Sequence, residues 1–151
     1  MGTAQAETKA RSGAAAELAA ALRPALLRLT RLVRNQRVDM SVTLTQLSAM
    51  NTLRTGGAMS AGELAACEKV QPPSMTKVLA NLEERGLVRR DAHPTDRRQA
   101  IMSITPAGAA LLDSERRMRD AWLAQRLAEL TGDERALLRN VIPVLDKLAQ
   151  L

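Results

Sequence analysis

The chain holds 151 residues with a formal net charge of +6, and 46% of them are hydrophobic, yet Phe and Tyr are absent and Trp122 and Cys67 each stand alone. Such a length suits one compact domain, or a small domain carried by extra helices, and leaves no room for a second independent one. The single cysteine excludes an internal disulfide framework, no apolar run approaches the ~20 residues of a membrane span, and the opening MGTAQAETKARSG lacks the apolar stretch of a secretory signal. A cytoplasmic protein without membrane association is expected.

The apolar side chains are mainly Ala, Leu, Val, Ile and Met. Burying groups of that size gains about 25 cal/mol per Å², so a chain this poor in aromatics benefits from self-association. Its positive charge favours a phosphate-rich partner, because Lys and Arg displace condensed counterions. Charge by itself decides little. Residues 1–40 hold seven Lys/Arg against three Asp/Glu, whereas residues 60–104 hold seven against six.

Residues 1–13 are polar and Ala-rich without periodicity, which predicts a flexible arm. From about Ala14 to Asp39, Leu18, Leu22, Leu26, Leu29 and Val33 form a helical stripe interrupted only by Pro24. Thr43 and Gln46 have capping-box spacing, and Leu44, Leu47, Met50 and Leu53 mark a second helix that ends at Gly56-Gly57. Ser60 and Glu63 repeat that spacing at the head of a short third helix, to about Cys67 or Lys69. Pro72 and Pro73 open a fourth, in which Met75, Val78, Leu79 and Leu82 recur until Gly86 stops it.

Leu87–Asp91 and Gln99–Ile104 are strand candidates joined by a polar loop too long for a tight hairpin. Thr105-Pro106 starts a helix through Leu111, Leu112, Met118, Trp122, Leu123 and Leu127. Thr131 and Glu134 form a third capping box, ahead of Leu137, Leu138, Val141, Leu145 and Leu148, with a kink expected at Pro143. The fold class expected is mostly α with a small β-ribbon.

A helix enters the major groove when its outer face carries short polar or cationic groups and its inner face packs on supporting helices. In the fourth helix Met75, Val78, Leu79 and Leu82 share one face, which places Pro73, Lys77 and Ala80 opposite and Ser74 and Thr76 on the flanks. Such helices read bases mainly with their N-terminal residues, making Pro73, Ser74, Thr76 and Lys77 the major-groove candidates. An ordinary amphipathic surface helix is the competing reading, and Glu83 and Glu84 limit any contact surface to the front half. The ribbon shifts the balance, because Arg97 and Arg98 stand at its tip beside Asp96, which can orient a guanidinium by hydrogen bonds. Arginine is weakly hydrated and suits the concentrated negative potential of a narrow minor groove.

The run DRRQAIMSITPAG resembles the wing signature of the MarR family of winged helix-turn-helix regulators, with Asp96, Arg98, Thr105 and Gly108 at its characteristic positions. SMTKVLANLEERGLVRR is likewise similar to that family's recognition helix and first wing strand. Ile104 stands where Leu is common, a conservative departure. The resemblance implies that Arg98 is the minor-groove arginine, that Asp96 orients it and that Arg97 is exposed at the tip. It also implies a triangular homodimer in which the first and the last two helices interlock, with Leu18, Leu22, Trp122, Leu138, Val141, Leu145 and Leu148 in the interface. Two recognition helices would then meet the half-sites of a pseudo-palindromic double-stranded DNA about one turn, ~34 Å, apart.

The organisation expected is therefore an arm at 1–13, a dimerisation helix at 14–40, a winged helix-turn-helix lobe at 41–104 and C-terminal dimerisation helices at 105–151. Some family members use a reactive cysteine, which makes an oxidation sensor at Cys67 one alternative; its place on a packing stretch favours a small buried hydrophobe. Arg23, Arg28, Arg31, Arg34 and Arg37 are expected to form a solvated face; the resemblance implies an alternative in which some of them border a crevice where family members take small anionic or phenolic compounds. His93 is the sole histidine, so no Ser-His-Asp arrangement, catalytic metal or zinc-sensing site is expected, nor any cofactor. The expected function is a DNA-binding repressor released by a ligand. The alternative is a winged-helix module that binds proteins without specific DNA recognition.

Overall fold

A computed structural model describes residues 2–92 and 100–151 of the chain. In order, its elements are α1 (Gly2–Arg34), α2 (Leu44–Gly56), β1 (Met59–Ser60), α3 (Ala61–Cys67), α4 (Pro72–Glu84), β2 (Val88–Ala92), β3 (Ala100–Ile104), α5 (Pro106–Ala128) and α6 (Gly132–Gln150). The expected class holds: a mostly helical chain with one small antiparallel sheet, ordered β1-β3-β2. The chain divides into two compact units, residues 37–120 and a second built from residues 1–36 and 121–151.

Three predicted capping boxes form as drawn: Thr43 with Gln46, Ser60 with Glu63, and Thr131 with Glu134. Each pairs two backbone N–H groups that the first helical turn leaves without acceptors. Three features differ from expectation, the first being that α1 ends at Arg34 and not at about Asp39. Helix α1 begins at Gly2 instead of about Ala14, so the backbone of the predicted arm is helical; Ala, Gln, Glu, Lys and Arg are good helix formers without any apolar stripe. Strand β1 was not predicted, because two residues are too short to show an alternation.

In the unit 37–120, Val42, Leu47, Met50, Leu53, Leu64, Met75, Leu79, Leu82, Val88 and Met102 pack into one core from α2, α3, α4 and the sheet. Each large side chain fully withdrawn from water contributes about 1.5–3 kcal/mol. Val88 pairs with Ile104 and Arg90 with Met102, so the ribbon roots itself in that core at its base and runs outward as it leaves it.

The junction between α4, β2 and α5 is held by Thr105 and two glycines. Gly86, at φ 68°, lets the N–H groups of Gly86 and Leu87 turn back to the carbonyls of Glu83 and Leu82, closing α4. The Thr105 hydroxyl donates to the Gly86 carbonyl at 2.7 Å and accepts from the Gly108 N–H at 3.1 Å, while the Thr105 N–H donates to Leu87 O. Gly108 is buried, and a Cβ there would stand 2.2 Å from Leu87 O. The Thr and Gly of the recognised signature are thus explained by a close backbone approach.

In the unit of residues 1–36 and 121–151, α6 buries no side chain within the chain. Leu18, Leu27, Leu137, Ile142, Val144 and Leu148 are all exposed. Arg126 lies over the Trp122 ring, 5.6 Å from its centre, and Arg135 donates to the carbonyls of Leu130 and Leu127 at the end of α5.

Candidate nucleic-acid interface

Helices α3 and α4 are joined by a turn that reverses at Lys69, a non-glycine residue at φ 53°. The N–H groups of Lys69 and Val70 return to the carbonyls of Ala66 and Ala65, and Val70 packs against the core. The turn closes α3 as a glycine would, and a lysine in this conformation costs about 1 kcal/mol.

Helix α4 begins with Pro72 and Pro73, which have no N–H, and the N–H groups of Ser74 and Met75 both donate to Gln71 O. Residues 72–75 therefore offer no free backbone donor, and any anion or base met by this end of the helix must be met by side chains. Met75, Leu79 and Leu82 are buried, whereas Pro73, Ser74, Thr76 and Lys77 are all exposed. The Thr76 hydroxyl donates to Pro72 O at 3.0 Å, which leaves its oxygen able to accept. Among the described residues, Ser74 and Lys77 have no side-chain partner. A positive, short-chained front on a rigidly packed helix is the shape that fits a major groove.

Behind that front the acidic end of α4 is partly neutralised, because Glu83 pairs with Arg90 of β2 at 3.4 Å. On the other face of the ribbon Arg89 pairs with Asp91 at 2.9 Å and donates to the Ser103 hydroxyl. Sequence reasoning passed over Arg89 and Arg90. The signal was there in two adjacent arginines at the start of a strand whose alternation sends one to each face. Asp96, Arg97, Arg98 and His93 lie outside the described residues.

Helix α4 is fixed from behind by polar contacts as well as by its apolar face. The buried Gln46 donates to Asn81 Oδ1 at 2.7 Å while its own carbonyl oxygen accepts from the Thr43 N–H. Arg85 donates to Asp39 Oδ2 at 2.7 Å. The Ser41 hydroxyl and N–H, followed by Arg85, hold the Asp39 carboxyl at about 2, below its ordinary value of 3.8.

Two expectations fail. Cys67 is exposed, not buried: Ala61, Leu64 and Ala65 form the inner face of α3, and Cys67 falls about 110° from its centre. Arg37 does not join a solvated face; its side chain is 8% exposed and lies 3.6 Å from Glu115, itself 1% exposed. Of the predicted interface residues, Leu18, Leu138, Val141 and Leu148 are exposed and Leu22, Trp122 and Leu145 are half-buried. Among the described residues no His, Cys, Asp or Glu cluster is placed to hold a metal ion, and no helix is long and apolar enough to cross a membrane.

Comparison with known proteins agrees with this fold. The model of the MarR family matches residues 42–100. An HTH-type transcriptional regulator of Mycobacterium leprae is 44% identical over 133 residues, covering 88% of this chain and 93% of its own. The multiple antibiotic resistance protein MarR of Salmonella typhimurium is 30% identical over 118 residues, 75% of this chain and 82% of its own. A solved transcriptional regulator of Pseudomonas aeruginosa is similar with a TM-score of 0.79 at 34% identity, over 89% of this chain and 95% of that one.

Proposed function

This chain belongs to the MarR family of transcriptional regulators, and on that premise we propose that it acts in the cytoplasm as a homodimeric, sequence-specific repressor rather than as an enzyme. The observation that carries the reading is the front of α4. Ser74, Thr76 and Lys77 stand exposed on a helix whose opposite side buries Met75, Leu79 and Leu82, and in the sequence Asp96, Arg97 and Arg98 fall between the two paired strands β2 and β3. Pro73, Ser74, Thr76 and Lys77 would meet base edges and phosphates in the major groove. Arg98, oriented by Asp96, would enter the neighbouring minor groove, with Arg97 on the phosphates beside it.

The unpartnered apolar residues of α1 and α6 supply the reason for a dimer. Leu18, Leu138, Val141 and Leu148 gain most from a second copy, with Leu22, Trp122 and Leu145 completing the seam. A two-fold dimer carries two α4 helices to half-sites of a pseudo-palindrome ~34 Å apart. Release by a small aromatic or anionic ligand belongs to the same reading: a ligand that prefers a dimer with another half-site separation shifts the equilibrium by its differential affinity.

The test uses a duplex recovered by the protein from a randomised pool. Arg98→Ala is expected to weaken binding to that duplex strongly in a salt-controlled mobility shift while leaving the dimer folded. Lys77→Ala is expected to lower affinity too, and a changed base preference would mark it as a base reader instead of a phosphate contact. Weak, salt-insensitive binding to every duplex would overturn the reading in favour of a protein-interaction module.

A further inference from the structure

Behind the candidate interface, one buried carboxylate gathers groups from distant parts of the sequence. Glu115 lies on α5 and is 1% exposed. Its Oε1 accepts the N–H groups of Val38 and Asp39, both at 3.1 Å. Its Oε2 faces Arg119 at 3.3 Å and Arg37 at 3.6 Å. Arg37 in turn donates to the carbonyls of Asp39 and Val42, so the segment between α1 and α2 is bound at both ends of one loop.

Asp39 is the joint. Its N–H goes to Glu115 on α5, and its carboxylate accepts from Arg85, the residue that caps α4, at 2.7 Å. Two hydrogen bonds through a single residue therefore connect α5 to the end of the helix that carries Ser74, Thr76 and Lys77. Buried ion networks contribute little net stability, because desolvation offsets most of the attraction; what they supply is one preferred geometry over its neighbours. Hydrophobic packing of Met75, Leu79 and Leu82 is non-directional, whereas the Asp39–Arg85 bond adds a directional restraint at the end of α4.

We propose that Glu115 and Asp39 are positioning residues for DNA recognition: they form a polar strut from α5 through residues 37–42 to Arg85 that sets the angle at which α4 is presented. The proposal rests on the reading of α4 as the DNA-recognition helix. It predicts that the strut governs discrimination between sequences more than general affinity for phosphate.

The experiment compares Glu115→Gln, Asp39→Asn and the double variant in the full chain. Glu115→Gln keeps the shape and an acceptor for the loop N–H groups but removes the charge facing two arginines. Asp39→Asn removes one acceptor and the charge at a half-exposed position, so it stays folded if the buried change does not. Affinities are measured for the pool-selected duplex and for a random-sequence duplex across a salt series. The strut predicts that each single variant lowers the selected-to-random ratio on the order of tenfold, that the double variant falls no further than the larger single, and that the salt slope is unchanged. Amide hydrogen exchange at residues 77–84 is expected to quicken in each variant without DNA present. An unchanged ratio, effects that multiply, or a salt slope reduced by about one contact would overturn the proposal. Should the wild-type chain recover no duplex, the DNA reading falls, and the exchange measurement alone decides whether the strut orders α4.

Discussion

The two units of this chain are built from the same kinds of residue and end in opposite states. In residues 37–120, Leu, Val and Met from four helices and a sheet close over one another, and Met75, Leu79 and Leu82 reach complete burial. In residues 1–36 and 121–151, comparable side chains recur at helical spacing, yet α6 buries none of them. Amphipathic periodicity reports that a face wants cover and says nothing about which chain supplies it. The first unit covers itself; the second has the composition of half a core.

That contrast predicts different outcomes for the same kind of damage. Leu79→Ala removes a fully buried side chain from the self-sufficient unit, and a loss of about 2–5 kcal/mol in denaturant unfolding is expected. Leu138→Glu on α6 is expected to leave the single chain's fold intact and to weaken the proposed pairing, with a loss of about 2 kcal/mol or more of association free energy in sedimentation velocity. An unchanged self-association would break the comparison, because the exposed face would then need some other cover.

Smaller effects sharpen the picture inside the first unit. Gly108→Ala sets a methyl 2.2 Å from Leu87 O and 2.9 Å from Ile104 Cγ1. The junction must open to admit it, at about 1–3 kcal/mol in thermal or denaturant unfolding. Asp39 gives the mildest test. Its carboxyl is held at about 2 against an ordinary 3.8, so it binds protons less readily folded than unfolded. Its contribution is present above about 4 and is lost as the pH falls towards about 2. Asp39→Asn is expected to flatten the stability profile across that window and leave the neutral region's slope alone; an identical acid limb in both proteins would remove Asp39 from the account.

Much of the fold could be read from short-range chemistry. Thr43, Ser60 and Thr131 each announced a helix start through a partner three residues on, and Gly86 announced a stop through its tolerance of positive φ. The exposed front and buried back of α4 followed from angular spacing alone. Long-range polar contacts did not announce themselves. Arg37 looked like one more arginine in a basic row, and its partner Glu115 stands in a helix with several other charges; only the folded chain brings them together. Cys67 illustrates the opposite failure, since a residue among buried neighbours on a short helix can still fall outside the inner arc. Strand β1 was hidden by its length, and Lys69 by a turn that normally selects glycine.

The two prolines at the head of α4 carry one more implication. A helix that offers backbone N–H groups to a phosphate is pinned to the duplex whatever its side chains are, and its register is partly fixed before any base is touched. Here that anchor is missing, since Pro72 and Pro73 have nothing to donate and Gln71 O takes the next two N–H groups. In the proposed reading, recognition by α4 would be left to Pro73, Ser74, Thr76 and Lys77, exposed residues opposite the buried face of the helix. On that reading, a lineage carrying this helix could change the address it reads by exchanging a few surface residues, while the core behind them stays as it is.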